Sequence, residues 1–267
     1  MQKTENLSDG LRVDLNEGSS TNGIRHAKSA DVAAEVLLHK LTRREFRRRM
    51  EGGELKACII PTGAMEQHLE HLAMEHDWRS VMHVAALIAE KLSPNVIIAP
   101  VLNIGISEHH MRHIGTLSAS PGGWLSVLGD GIRSMCRAGF RNILVLNGHG
   151  GNEQPCRGIW GQFQQQFEIN LQFHSYWDFL PPESAQLFLT SNCYPGHAQE
   201  FETAIALAAF PENVRADAMY DQDDQSPFLA TAEAGQAMLD IIVPRGADHI
   251  AAMIDGKNVA EIPAYWP

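Results

Sequence analysis

No apolar run in this sequence is long enough to span a bilayer. It also has no C-x-x-C pair: its four cysteines, Cys58, Cys136, Cys156 and Cys193, are scattered. Neither a zinc ribbon nor a disulfide framework is therefore expected, and buried free thiols are. Basic residues are in the minority, with 21 Lys and Arg against 32 Asp and Glu and a net charge of -11, which argues against the broad positive surface that nucleic acid requires. G-x-S-x-G is missing, so a serine nucleophile has no elbow to stand on, and neither a P-loop nor a G-x-G-x-x-G nucleotide cradle is present. These gaps leave a small-molecule binder or enzyme with no membrane and no nucleic-acid partner.

What is present is ordinary in bulk and unusual in distribution. Hydrophobic residues make up 44% of 267 residues, enough for one sizeable core, and no Pro/Gly/Ser-rich linker divides the chain. A polar arm over residues 1–28 followed by a single domain over 29–267 is the expected organisation. The arm lacks the apolar centre of a secretory signal, which points to the cytoplasm. Thirteen histidines are many, and they crowd between residues 68 and 113.

Periodicity gives strands that alternate with helices. Ala30 to Met50 reads as helix, with Thr42 able to cap its basic second part; Ala57 to Pro61 reads as a buried strand, and Trp78 to Leu92 as helix. Val96 to Leu102 reads as a second strand. Ser120-Pro121 is a helix start that Gly139 closes, followed by a strand over Asn142 to Leu146 and a helix from about Asn152. Leu171 to Tyr176 offers a fourth strand, and GHAQEFETAIALAAF enters another helix. This is an α/β fold with a mostly parallel sheet covered on both faces, whose site belongs at the carboxyl ends of the strands.

The chemistry-bearing residues follow those strands. Glu66 and His68 lie two apart after the first, and Asp77 closes the same loop. Carboxylate and imidazole together suit Zn, Mn or Fe, and the two oxygens of Asp77 can serve two ions. Any one acidic residue of a polar loop is better read as a solvated charge; the cluster weakens that reading. Glu70, His71, Glu75 and His76 crowd the same loop, and spacing alone does not divide them between metal and substrate. His149 stands in NGHGGN, where Gly150 and Gly151 leave backbone N–H groups free to approach a ligand. His197 and Glu200 form a polar step at a helix start, where Glu200 also suits the helix dipole, and Glu202 is a further carboxylate close by. His109, His110 and His113 follow the second strand as candidate pocket residues.

PTGAMEQH with Asp77, SEHHMRHIGTLS, GFRNILVLNGHGGN and GHAQEFETA, in that order over roughly residues 41 to 215, resemble the creatininase (creatinine amidohydrolase) family. The resemblance implies a three-layer α/β/α fold, two divalent metal ions per chain, and homo-oligomers, often hexamers. It makes Glu66, His68, Asp77 and His149 the metal ligands, with Asp77 bridging, and gives His197 a part in proton transfer. Creatininase has a glutamate two residues after the histidine of NGHGGN where this chain has Gly151, and Glu200 is the expected replacement ligand or, where it is not a ligand, the alternative to His197 as catalytic proton carrier. Glu70, His71, His110, Gly150 and Gly151 are the expected substrate contacts. The implied reaction is hydrolysis at a carbonyl of a small cyclic substrate by metal-activated water, an amide C–N hydrolysis in the manner of creatinine amidohydrolase. Because EQHLEHLAMEHD replaces the usual EQHGPHLPLGTD, its extra polar groups also suit a hydroxyl-rich ring. The alternative reaction is therefore opening of an oxidised inositol, as in 3-dehydro-scyllo-inosose hydrolase. A non-catalytic metal-dependent binding protein is the rival class.

Overall fold

A computed structural model describes residues 35–263. The arm over residues 1–28 lies outside the described residues. Four strands, β1 (Ala57–Thr62), β2 (Val96–Ile98), β3 (Asn142–Asn147) and β4 (Asn170–Ser175), pair in the order β2-β1-β3-β4, all parallel. Around them are α1 (Arg43–Glu51), α2 (His76–Lys91), α3 (Pro121–Ala138), α4 (Gly150–Phe167), α5 (Pro182–Ala185), α6 (Glu200–Ala209) and α7 (Ala232–Ile254).

Alternation along the strands makes the two cores. Ala57 and Ile59 of β1, with Leu144 and Leu146 of β3, face α2, α6 and α7 through Val84, Ile88, Phe201, Ile205, Met238 and Ile242. Cys58, Ile60, Ile143 and Val145 point the other way, to Trp124, Leu128 and Ile132 of α3 and Cys156 and Phe163 of α4. Every residue of β1 is buried, the mark of a central parallel strand covered on both faces. The result is the expected three-layer sandwich.

Local signals place most boundaries. Thr42 and Glu45 form a reciprocal capping box at α1. Ser120 accepts from Gly123 N with Pro121 behind it, and Gly139 ends α3 at φ 113°. The single helix expected from Ala30 to Met50 is instead broken within the described residues. Leu37 bridges to Ile98 at the sheet edge and Leu38–Lys40 is one 3-10 turn, so α1 starts afresh after its Thr42 cap. The second strand is also shorter than expected, ending at Ile98 before Pro100, with only an isolated bridge between Thr62 and Leu102 beyond it.

The 23-residue α7 escaped the periodicity reading, because Gly235, Gly246 and Pro244 interrupt its helical pattern. Gly235 has a packing reason: a Cβ there would collide with the Ala204 carbonyl oxygen and lie 2.9 Å from the Ala208 methyl, so its absence lets α7 close on α6. Gly235→Val is expected to destabilise the fold by about 2–3 kcal/mol, typical of overpacking. Thermal unfolding should record this as a fall in Tm of roughly 4–12 °C. An unchanged Tm would show that the contact relaxes.

Candidate metal centre

The carboxyl ends of β1, β2, β3 and β4 deliver the site, and asparagines of NGHGGN tie them together. Asn147 Oδ1 accepts from Thr62 Oγ1 and from His149 N, while Asn147 Nδ2 donates to the His149 carbonyl at 2.7 Å. Asn152 donates to the Gly63 carbonyl and accepts from Ile106 N, joining the loops after β1 and β2. Gly148 is required for close approach: a Cβ would stand 2.5 Å from the Asp77 carbonyl oxygen. The end of β3 thereby packs against the first turn of α2, where Asp77 sits in the favourable field of a helix N-terminus.

Glu66, His68, Asp77 and His149 converge there, all at most 3% exposed. The two Asp77 oxygens face different histidines, Oδ1 at 3.0 Å from His68 Nε2 and Oδ2 at 3.0 Å from His149 Nδ1. Glu66 Oε1 lies 3.4 Å from His149 Nδ1. Glu202, from α6, brings Oε2 to 3.8 Å from His68 Nε2 and Oε1 to 4.0 Å from His76 Nε2.

The rings are oriented from behind. His68 Nδ1 is 3.1 Å from the Glu66 carbonyl, and His149 Nε2 is 3.1 Å from the Ile106 carbonyl. A ring nitrogen next to a carbonyl carries the proton, so each ring aims its other nitrogen's lone pair at carboxylate oxygens. That arrangement repels unless a cation lies between. Three carboxylates this deeply buried also need compensating charge, and Glu66 Oε2 has no hydrogen-bond partner. The field of these carboxylates shows in the titration of the imidazoles. Burial pushes His68 down, but Asp77 beside it wins and raises it to about 9. His149 is likewise raised well above its ordinary value against its burial, by Asp77 and Glu66. Asp77 is driven below the usual carboxylate range, its burial outweighed by His68 and His149, whereas burial lifts Glu202 to about 7. The donor set, two imidazoles and three carboxylates, fits two divalent ions by charge and ligand type. Groups able to hold an ion include Glu66 with His109 and His149, Glu66 with His68 and His197, and His68 with His76 and Glu202.

Glu200 does not take the place expected for it. Its Oε1 accepts from Thr190 N at 2.8 Å and its Oε2 from Ser191 N at 2.6 Å, so its carboxylate is used up on the segment before the helix. Residues two apart on a helix differ by about 200° in direction, so only one of Glu200 and Glu202 can face the centre. That one is Glu202, which also accepts from Ala198 N.

A cavity of about 230 Å³ opens over the cluster, lined by Glu66, Asp77, Glu202 and the imidazoles of His109, His110, His149 and His197, with Trp177 and the backbone of Gly150, Gly151 and Gly196. His110, Gly150 and Gly151 thus sit where substrate contacts were expected. Glu70 and His71 do not. His71 is buried, bonded to Thr203 Oγ1 at 2.9 Å and Gln222 Oε1 at 3.1 Å, while Glu70 is exposed and its N–H also reaches Gln222. Glu75 accepts from Asn213 Nδ2 at 2.7 Å. These residues tie the loop to segment 203–222, and they give no polar lining for a polyol. Burial, with His68 nearby, lowers His197 to about 4 and keeps it a neutral ring; His76 falls for the same reasons. Trp177, which lines the cavity, and Gln67, which bonds to His110 and His197, were missed because nothing local marks a tryptophan after a strand or the middle residue of Glu66-Gln67-His68.

The family profile described as creatininase, creatinine amidohydrolase, matches residues 39–247. The creatinine amidohydrolase of Pseudomonas putida is 27% identical over 207 residues, 71% of this chain and 78% of that protein. The 3-dehydro-scyllo-inosose hydrolase of Thermotoga maritima is 29% identical over 184 residues, 66% of this chain and 57% of that protein. A solved manganese creatininase superposes with a TM-score of 0.69 at 24% identity, covering 82% of this chain and 98% of that one.

Proposed function

The chain belongs to the creatininase family of hydrolases, and from that premise we propose that it is a binuclear metal-dependent amidohydrolase acting on a small cyclic amide. The observation that carries this is Asp77, whose two oxygens each face a ring nitrogen of a different imidazole between two further buried carboxylates. In this reading Glu66, His68, Asp77, His149 and Glu202 would hold the divalent ions, with Asp77 placed between the two halves of the cluster; zinc or manganese would suit these donors. When bound, such ions lower the pKa of water and polarise the carbonyl it attacks.

The protein's own groups supply the rest. Trp177 and the loop carrying Pro195 and Gly196 line the cavity. His197 presents Nδ1 at the pocket, 3.6 Å from Glu66 Oε1, where the N–H of a neutral ring donates a hydrogen bond to the developing oxyanion. The imidazole faces are flat: His109 and His149 lie 10° from parallel, and His110 and His197 22°. Within about 230 Å³ these rings leave room for a small ring substrate.

The test is a turnover screen of the zinc- or manganese-loaded protein against creatinine, formamidopyrimidines, short peptides and oxidised inositols, read as a mass gain of one water. Turnover of cyclic amides is expected. Turnover of the inositols alone would replace the amide reading with ring-opening C–C hydrolysis, and ions bound without any turnover would favour a binding protein. His197→Ala is expected to keep its ions and to lose about 10²–10³-fold in kcat, the cost of one oxyanion donor. Loss of an ion, measured by elemental analysis, would make His197 a ligand instead.

A further inference from the structure

Gln67 lies between two proposed ligands in sequence, yet its amide serves two other rings. Leu69 N donates to Gln67 Oε1 at 2.9 Å, which settles which end of the amide is which. Gln67 Nε2, carrying two hydrogens, is therefore the group that stands 2.9 Å from His110 Nδ1 and 2.9 Å from His197 Nε2. An amide nitrogen accepts nothing, so both ring nitrogens receive hydrogen bonds through their lone pairs, and each ring carries its own proton on the opposite nitrogen. Those opposite nitrogens are His110 Nε2 and His197 Nδ1, the atoms that approach Glu66 Oε1 at 3.9 and 3.6 Å. The backbone of Gln67 is held in turn, because its N–H donates to Thr116 Oγ1 at 3.1 Å.

We propose that Gln67 is a positioning residue that holds His110 and His197 in complementary neutral tautomers, so that two N–H donors converge on one corner of the cavity beside Glu66. This rests on the hydrolase reading for its purpose, though not for its geometry. A substrate oxygen that becomes negative beside Glu66 meets two fixed donors, the arrangement that stabilises an oxyanion without reorganisation. It also closes His197 Nε2 to protons, since a proton there would point at the amide's own N–H groups. His197 then acts through Nδ1 only.

Long-range ¹H–¹⁵N correlation spectra of the zinc-loaded, ¹⁵N-labelled protein read the tautomers directly, with no need for turnover. The expected result is a proton on Nδ1 of His197 and on Nε2 of His110. Gln67→Glu turns the donor into an acceptor and is expected to move both protons to the Gln67 side of their rings. Gln67→Met removes the donor: each ring should become a tautomer mixture, with zinc content unchanged and kcat down about 10- to 100-fold, the usual effect of losing an orienting partner. A wild-type spectrum with His197 protonated at Nε2 or His110 at Nδ1 would overturn the proposal, whether or not either variant folds. So would unchanged tautomers and unchanged kcat in Gln67→Met. If the wild-type tautomers are as expected but no substrate turns over, it is the hydrolase reading that fails, and the positioning of the rings stands.

Discussion

Replacing Asp77 by Asn is expected to remove both ions from the protein and to reduce turnover by more than about 100-fold, beyond the 10- to 100-fold seen when an outer partner of a ligand is lost. The substitution preserves shape and deletes the one group that faces both halves of the cluster. An amide offers a single acceptor, so its NH₂ must replace either Oδ1, 3.0 Å from His68 Nε2, or Oδ2, 3.0 Å from His149 Nδ1. The lone pair on that ring then finds an N–H donor, which stabilises the metal-free arrangement and opposes entry of a cation. Charge acts in the same direction, because three buried carboxylates become two. Elemental analysis of the purified variant gives the count, and circular dichroism shows whether the sheet survives; Asp77 is in the first turn of α2, so the strands should be intact. A variant that retains wild-type metal content would remove Asp77 from the bridging position and take the binuclear proposal with it.

Glu202→Gln and Glu200→Gln are expected to part company, although the two residues are two apart in sequence. Glu202→Gln should lose the ion shared with His68 and lose turnover with it, since the amide keeps an oxygen but not the charge that 3.8 Å proximity to His68 Nε2 puts to use. Glu200→Gln should keep both ions. Its cost falls on folding: the carboxylate accepts from Thr190 N and Ser191 N, and an amide can accept from only one of them while its NH₂ confronts the other. A loss of about 1–3 kcal/mol follows for a buried hydrogen bond broken on one side. Thermal melts and metal counts on the same two preparations separate the cases. If Glu200→Gln lost an ion while Glu202→Gln kept both, the assignment of the second ion would be reversed.

Much of the fold was legible locally because the signals are local. Thr42 with Glu45, Ser120 with Pro121, and Gly139 each act within one turn of chain, so the ends of α1 and α3 follow from short-range sterics and hydrogen bonds. Buried apolar runs such as ACIIP and NILVL have no other stable place than the middle of a parallel sheet. Where long-range packing competes, the local reading failed. The chain before Thr42 joins the sheet edge at Ile98 where a helix was expected, and α7 tolerates Gly235 because α6 needs the space.

The sequence by itself determined the α/β alternation, and it set Glu66, His68 and His149 in loops after strands and Asp77 at the end of the first of those loops, because a loop after a parallel strand must open at the same edge of the sheet as its neighbours. Only the tertiary structure decided which of the crowded polar residues face inward. The loop from Leu69 to Glu75 turns His71 to Thr203 and Gln222 and Glu75 to Asn213, partners more than 130 positions away that no spacing rule reveals. The choice of Glu202 over Glu200 likewise depends on how α6 is rotated about its axis, and that rotation is fixed by burial of Phe201, Ala204 and Ile205 against the sheet and α7. Gln67 becomes a partner of His110 and His197 only when the loops after β1 and β2 and the entry to α6 meet. Residue type sets what a side chain can donate or accept, and the packing of distant apolar residues sets what it is given to work on.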